Sequence, residues 1–238
     1  GYADDGGLGT ATLAAGGLGA TAFWLLLSLC TGLLEMTGAI AAEAHGAQDH
    51  NRVSRITIQG LWLSFSIAIP TMVLIWHLGI VFRLFDQQAS TINGAMAYLQ
   101  AIVWGMPAAL GVFVFKEILT ALSRPCLLIL LMGLSIPLNI GLNYGLTYGK
   151  WGLPELGLAG IGWASTVVFW LSFGIAVLML RVVPALRQLR LLRRWWRCDR
   201  NILAEIVHLG WPLCIDYGPE SGSLPAAAFP MGRWSTAL

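Results

Sequence analysis

Ile56–Phe82 reads ITIQGLWLSFSIAIPTMVLIWHLGIVF and contains no Asp, Glu, Lys or Arg. A helix rises ~1.5 Å per residue, so about 20 apolar residues cross a hydrocarbon layer ~30 Å thick. Outward from this stretch, four more windows lack those charges: Gly6–Leu34, Gln87–Phe115, Pro125–Gly149 and Leu156–Leu180. A sixth, poorer candidate, Ile206–Gly232, contains Asp216 and Glu220. Barrel strands need only ~10 alternating residues, so windows of this length imply helices. Pro70, Pro107 and Pro137 fall inside them, as membrane helices tolerate. The expected fold is an all-α, polytopic transmembrane bundle of about six spans.

Composition agrees. Of 238 residues 57% are apolar and 11% charged, where an ordinary soluble domain has roughly 25% charged. That excludes a typical cytosolic enzyme and a disordered chain. A net charge of +2 is too weak for a nucleic-acid binder held by phosphate contacts. Cys30, Cys126, Cys198 and Cys214 are scattered, with neither the density of a disulfide framework nor metal-ligand spacing. No charged-then-short-apolar stretch at its start resembles a signal peptide, and a start at Gly1-Tyr2-Ala3 without Met is expected of a segment from a longer protein.

The basic residues predict orientation. Arg52, Arg55, Lys116, Arg124 and the arginines from Arg181 to Arg200 follow odd-numbered spans, whereas Arg83, Lys150 and Arg233 follow even-numbered ones. The odd-numbered connections are therefore expected in the cytoplasm, with Trp151 at the outer interface and Trp195 and Trp196 at the inner one. Within Arg181–Asn201, Arg187, Arg190, Arg194 and Arg197 make one helical stripe, and Leu186, Leu189, Leu192 and Trp196 another. This reads as an interfacial helix that fixes topology and joins two halves of a protein. The expected organisation is a bundle over 1–180, a basic amphipathic linker over 181–205 and the start of a second bundle over 206–238. A faint echo between Gly6–Leu13 and Gly232–Leu238 suits repeated halves, a plan common in secondary transporters.

The sequence resembles the multidrug and toxic compound extrusion (MATE) transporters, most closely their bacterial NorM-type branch. The stretches that carry the resemblance are Gly6–Ala15 (GGLGTATLAA), Gly46–Ala47 with Arg52 and Arg55, Ala121–Pro125 (ALSRP), Ile136–Ser165 (IPLNIGLNYGLTYGKWGLPELGLAGIGWAS) and Leu209–Pro212 followed by Glu220. The resemblance implies twelve helices in two six-helix bundles around a central cavity, of which this chain carries helices two to seven and lacks most of the second bundle. It further implies export of cationic or amphipathic drugs in exchange for Na⁺ or H⁺, no other cofactor, and residence in a bacterial inner membrane.

Four residues are candidates for the site. Glu220, eight residues after Pro212, matches the helix-seven glutamate that serves cation coupling in the NorM-type branch. A carboxylate at that depth needs a cavity and a partner, a proton or a metal ion. The plainer alternative is a glutamate at a helix end, reaching water. Pro212, Pro219, Pro225 and Pro230 crowd the same span, which implies either a broken, cavity-lining helix or damaged sequence. Asn139 and Asn143 stand one turn apart on one helix face, and the family uses corresponding positions in the polar site of its first bundle. Some branches have an acid where this chain has Asn143, which argues against proton coupling there. Such a pair can also simply bond a neighbouring helix. Ser165 is a candidate partner on the next span. The family's helix-one aspartate would fall on Gly1, so neither Asp4 nor Asp5 enters the site.

The remaining polar groups read as structural. Glu35 and Glu43 flank the inner end of the first span, Lys116 and Glu117 can pair locally, and His45 and His50 make a poor metal site. His77 and His208 stand alone in apolar surroundings. Trp62, Trp104, Trp163 and Trp170 can stack on organic cations, although packing is the commoner use. No phosphate-binding or nucleophile motif occurs, so ATP energy is not expected. An intramembrane enzyme lacks a convincing residue set. A related lipid-linked oligosaccharide flippase would call for a more basic cavity, and a non-transporting half-length membrane protein is the remaining alternative.

Overall fold

A computed structural model describes residues 10–84, 89–150, 152, 154–188 and 199–214. Every regular element among them is helical: α1 (Thr10–Gly46), α2 (His50–Leu84), α3 (Ala89–Ile102), α4 (Met106–Ala121), α5 (Pro125–Tyr148), α6 (Gly157–Val182), the short α7 (Pro184–Gln188) and a last helix, α8, over 200–214. Five spans among these residues are long and apolar enough to cross a membrane, with α3 and α4 forming a single span, Thr91–Ala121. The start of the sixth predicted span is α8, and its remainder lies outside the described residues. So do most of the arginine stripe, the Gly232–Leu238 copy of the echo, and Trp151, Trp195 and Trp196.

The spans are helical for a backbone reason. In hydrocarbon each N–H and C=O must be satisfied within the protein, and a helix does this inside one segment. α1 continues through Glu35 and Glu43 to Gly46, beyond the apolar window. It stops where Gln48 takes a positive φ of 59°, and α2 restarts with the Asp49 carboxylate accepting the Arg52 N–H at 2.9 Å. That acceptor meets one of the orphan donors of a first helical turn. α2 and α5 run on through Pro70 and Pro137. Pro107 behaves differently: the three residues before α4, Val103–Gly105, form a 3-10 turn, and Pro107 sits in the first turn of α4. There its missing N–H costs little.

The span α3–α4 is the centre of the bundle. It packs on α1, α2 and α6, while α5 is held mainly by α6. Leu99, Val103, Met106, Leu110, Phe115 and Ile118 are buried along it. α5, by contrast, exposes Ile129, Leu130, Ile136 and Ile140, an apolar face suited to lipid. Helices in lipid gain little from burying oil against oil, so close backbone packing and internal hydrogen bonds hold them together. α6 meets α3 in this way: a Cβ on Gly162 would stand 2.7 Å from both the Tyr98 carbonyl oxygen and the Ala101 Cβ. α5 ends at Gly149, whose φ of 62° is left-handed, and the following loop folds back so that the Leu156 N–H donates to the Leu146 carbonyl at 3.0 Å.

Candidate functional site

Asn139 and Asn143 are brought together on α5. The Asn143 amide nitrogen donates to the Asn139 side-chain oxygen at 2.8 Å, and both residues are half-buried. Their spacing across one turn produces the pair, and the bond fixes both amide orientations. It leaves the Asn143 side-chain oxygen buried and without a hydrogen-bond donor. An unmet acceptor out of water costs about 1–3 kcal/mol, so the arrangement favours a donor or a cation there. An amide oxygen is a hard ligand of the kind alkali and alkaline-earth cations take.

Ser165 lies on α6, the helix that packs along α5, but its hydroxyl donates to the Ile161 carbonyl of its own helix at 3.0 Å. The α5–α6 hydroxyl bridge is instead Ser135 with Ser172, oxygen to oxygen at 2.8 Å. Glu220 and Asp216 lie outside the described residues, as do Asp4 and Asp5. Lys116 and Glu117 pair at 3.1 Å, and the Lys116 ammonium stands 4.5 Å from the Phe113 ring centre. His45 and His50 approach to 6.3 Å between ring centres, and among the described residues no group of three or more candidate metal ligands forms. His77 Nδ1 lies 2.8 Å from the Val73 carbonyl one turn back.

Two sets of contacts escaped sequence reasoning. At the 3-10 turn, the Thr166 hydroxyl donates to the Ala101 carbonyl at 2.8 Å and the Trp170 indole N–H to the Trp104 carbonyl at 3.0 Å. Thus Trp104 and Trp170, singled out for their ring faces, meet through a backbone hydrogen bond. At the α1–α2 corner, Arg52 pairs with Glu205 at 2.9 Å and Arg55 with Asp199 at 3.3 Å. Loop arginines read as topology signals, and nothing in their spacing names acids some 150 residues away. Thr57, Ser64 and Thr71, seven residues apart along α2, went unremarked in the sequence, although that spacing is the signal that marks them. Ser64 and Thr57 are fully buried, Thr71 is 8% exposed, and each hydroxyl donates to its own helix.

The five apolar spans and the paired amides can be set beside known proteins. The family model MatE matches residues 6–145. The chain belongs to the MatE family. It is 33% identical over 227 residues to a probable multidrug resistance protein NorM of Pseudomonas aeruginosa, covering 95% of this chain and 46% of that protein. A probable multidrug resistance protein NorM of Synechocystis is 34% identical over 234 residues, covering 98% of this chain and 50% of that one. The chain thus spans about half the length of these MATE relatives. Its fold matches an inward-facing multidrug resistance MATE family transporter with a TM-score of 0.79 at 22% identity, over 94% of this chain and 49% of that one. A eukaryotic MATE transporter gives 0.81 at 19% identity, with the same coverages. The MATE family is one of membrane transporters, and this chain is a multi-pass helical membrane protein of it.

Proposed function

We propose that the chain forms most of the first bundle, and the start of the second, of a cation-coupled multidrug exporter in a bacterial inner membrane. Cationic or amphipathic compounds leave by alternating access, in exchange for Na⁺ or H⁺. The likeness to NorM-named proteins along nearly the whole chain supports multidrug efflux. Within the bundle, the observation that carries the reading is the buried, unmet oxygen of Asn143 beside Asn139. The pair offers an acceptor to a cation or a donor-bearing drug without placing a fixed charge in the bundle. Asn139 holds Asn143 in the orientation that turns this oxygen outward from the pair.

Coupling falls to Glu220, which stands eight residues after Pro212 as the helix-seven glutamate of the resembled branch does. An ion bound by Glu220 must bind one conformation more tightly than the other, or it cannot drive exchange. Transport requires that a second bundle complete the cavity. The test is dye efflux from cells expressing a transporter of the relatives' full length that carries this chain. Glu220→Gln abolishes ion-driven efflux and leaves membrane insertion intact; unchanged efflux removes Glu220 from the coupling site.

A further inference from the structure

The beginning of α8 is tied to the α1–α2 corner by charge and, deeper, by backbone contact. Asp199 serves both ends of the tie: one carboxylate oxygen accepts the Asn201 N–H at 3.2 Å, capping α8, and the other accepts Arg55 at 3.3 Å. Arg52, one turn before Arg55 on α2, reaches Glu205 at 2.9 Å. Beyond these pairs α8 runs against α1. A Cβ on Gly210 would collide with the Leu33 carbonyl oxygen, and the Cys214 thiol donates to the Leu29 carbonyl at 3.3 Å. Leu29 and Leu33 are one turn apart, so α8 follows a single line of α1. A seam this close does not deform by degrees; α8 either seats on it or leaves it.

The strength of the charged contacts decides what they are suited to. All four side chains are partly exposed, from 28% for Asp199 to 54% for Arg55. Pairs of that kind shift an equilibrium by about two- to fivefold each and weaken with salt. They bias a contact without making it permanent. Arg52 also has a second acid in reach, Glu43 of α1 at 3.9 Å. If α8 departs, Arg52 keeps Glu43 and is not left unpaired.

We propose that Arg52 and Arg55 form a releasable latch that seats α8 on the first bundle, with Glu43 as the partner Arg52 keeps when the latch opens. The latch rests on the alternating-access reading: by the arginine count it lies on the cytoplasmic side, so its release accompanies inward opening. Cys214 reports the seam directly. In lipid vesicles holding the chain with Cys214, half-buried against α1, as its only thiol, a membrane-permeant maleimide labels the protein faster the more often α8 leaves α1. Arg52→Gln with Arg55→Gln speeds labelling about fourfold or more, two pairs acting together. Exchanging the charges, Arg52→Glu with Glu205→Arg, returns the rate towards the parent's. Salt at ~1 M accelerates labelling of the parent and not of the double glutamine variant. A parallel chain with Cys126 on α5 as its only thiol shows no change. A Cys214 rate indifferent to both substitution and salt overturns the latch, and so does an equal rise at Cys126. Neither result touches the efflux reading, which the dye-efflux assay tests by itself.

Discussion

The Trp170 indole donates to the Trp104 carbonyl at 3.0 Å, and one turn earlier on α6 the Thr166 hydroxyl donates to the Ala101 carbonyl at 2.8 Å. Both acceptors flank or fall within the 3-10 turn Val103–Gly105. A tightened turn before a proline disturbs the regular carbonyl-to-amide ladder, and in lipid no water stands by to repair it. α6 adds side-chain donors to two carbonyls at this break, so the docking of α6 converges on the irregular part of the central span.

Thr166 is the better buried of the two donors. Thr166→Val keeps the shape and removes the donor, and is expected to destabilise the folded chain by about 0.6–2 kcal/mol. Thr166→Ser keeps the hydroxyl and retains most of that stability. Trp170→Phe costs less than Thr166→Val, because Trp170 is 45% exposed. Thermal unfolding in detergent, followed by the fraction remaining monodisperse, orders the three. Equal loss for serine and valine would show that the hydroxyl contributes nothing.

Glycines in the same bundle are expected to divide sharply. Gly162→Ala forces a Cβ against backbone of α3 at 2.7 Å, and overpacking of this kind costs about 1–3 kcal/mol. Gly133→Ala and Gly141→Ala on α5 meet nothing within 4 Å and gain up to ~1 kcal/mol from the higher helix propensity of alanine. The same unfolding assay reads all three. Comparable behaviour at the three positions would mean that α6 does not approach α3 so closely.

Much of this architecture was legible in the sequence. The charge-free windows located the five spans because the bilayer imposes one length and one composition on every crossing. Helix ends were less visible. α1 extends past Glu35 and Glu43, since a helix leaving the bilayer keeps its own hydrogen bonds whatever its side chains. Of the candidate site, Asn139 and Asn143 were visible through spacing alone, because both lie on one helix. Ser165 was grouped with them by proximity of spans, yet its hydroxyl bonds within α6. The ion pairs of Arg52 and Arg55 were invisible, as tertiary pairing between distant segments leaves no local pattern.

The arginine count also fixes an expected sidedness that labelling can read. Arg55→Cys at the start of α2 and Lys150→Cys after α5, each made in a chain without other thiols, should react with a membrane-impermeant maleimide from opposite faces. In inside-out vesicles the Arg55→Cys variant should label and the Lys150→Cys variant should stay protected; right-side-out vesicles should reverse this. Labelling of both from one face would invalidate the orientation, and with it the cytoplasmic placement of the α1–α2 corner.

The amide pair allows its two uses to be separated. Asn143→Leu removes the buried, unmet oxygen and also the donor to Asn139. On packing grounds alone the substitution trades one unmet acceptor for another, since the Asn139 oxygen loses its donor, so stability falls by about 1 kcal/mol and retention is unchanged. If the oxygen receives a cation or drug, retention of an organic cation such as ethidium by the reconstituted chain also falls about tenfold, the loss of one charge-assisted contact of ~1.4 kcal/mol. Asn139→Leu leaves the Asn143 amide without its anchor, so it should weaken retention less than Asn143→Leu and destabilise the chain more. Equilibrium binding and thermal unfolding on the same preparations distinguish the outcomes, and unchanged retention in Asn143→Leu would leave the pair as a structural contact of α5.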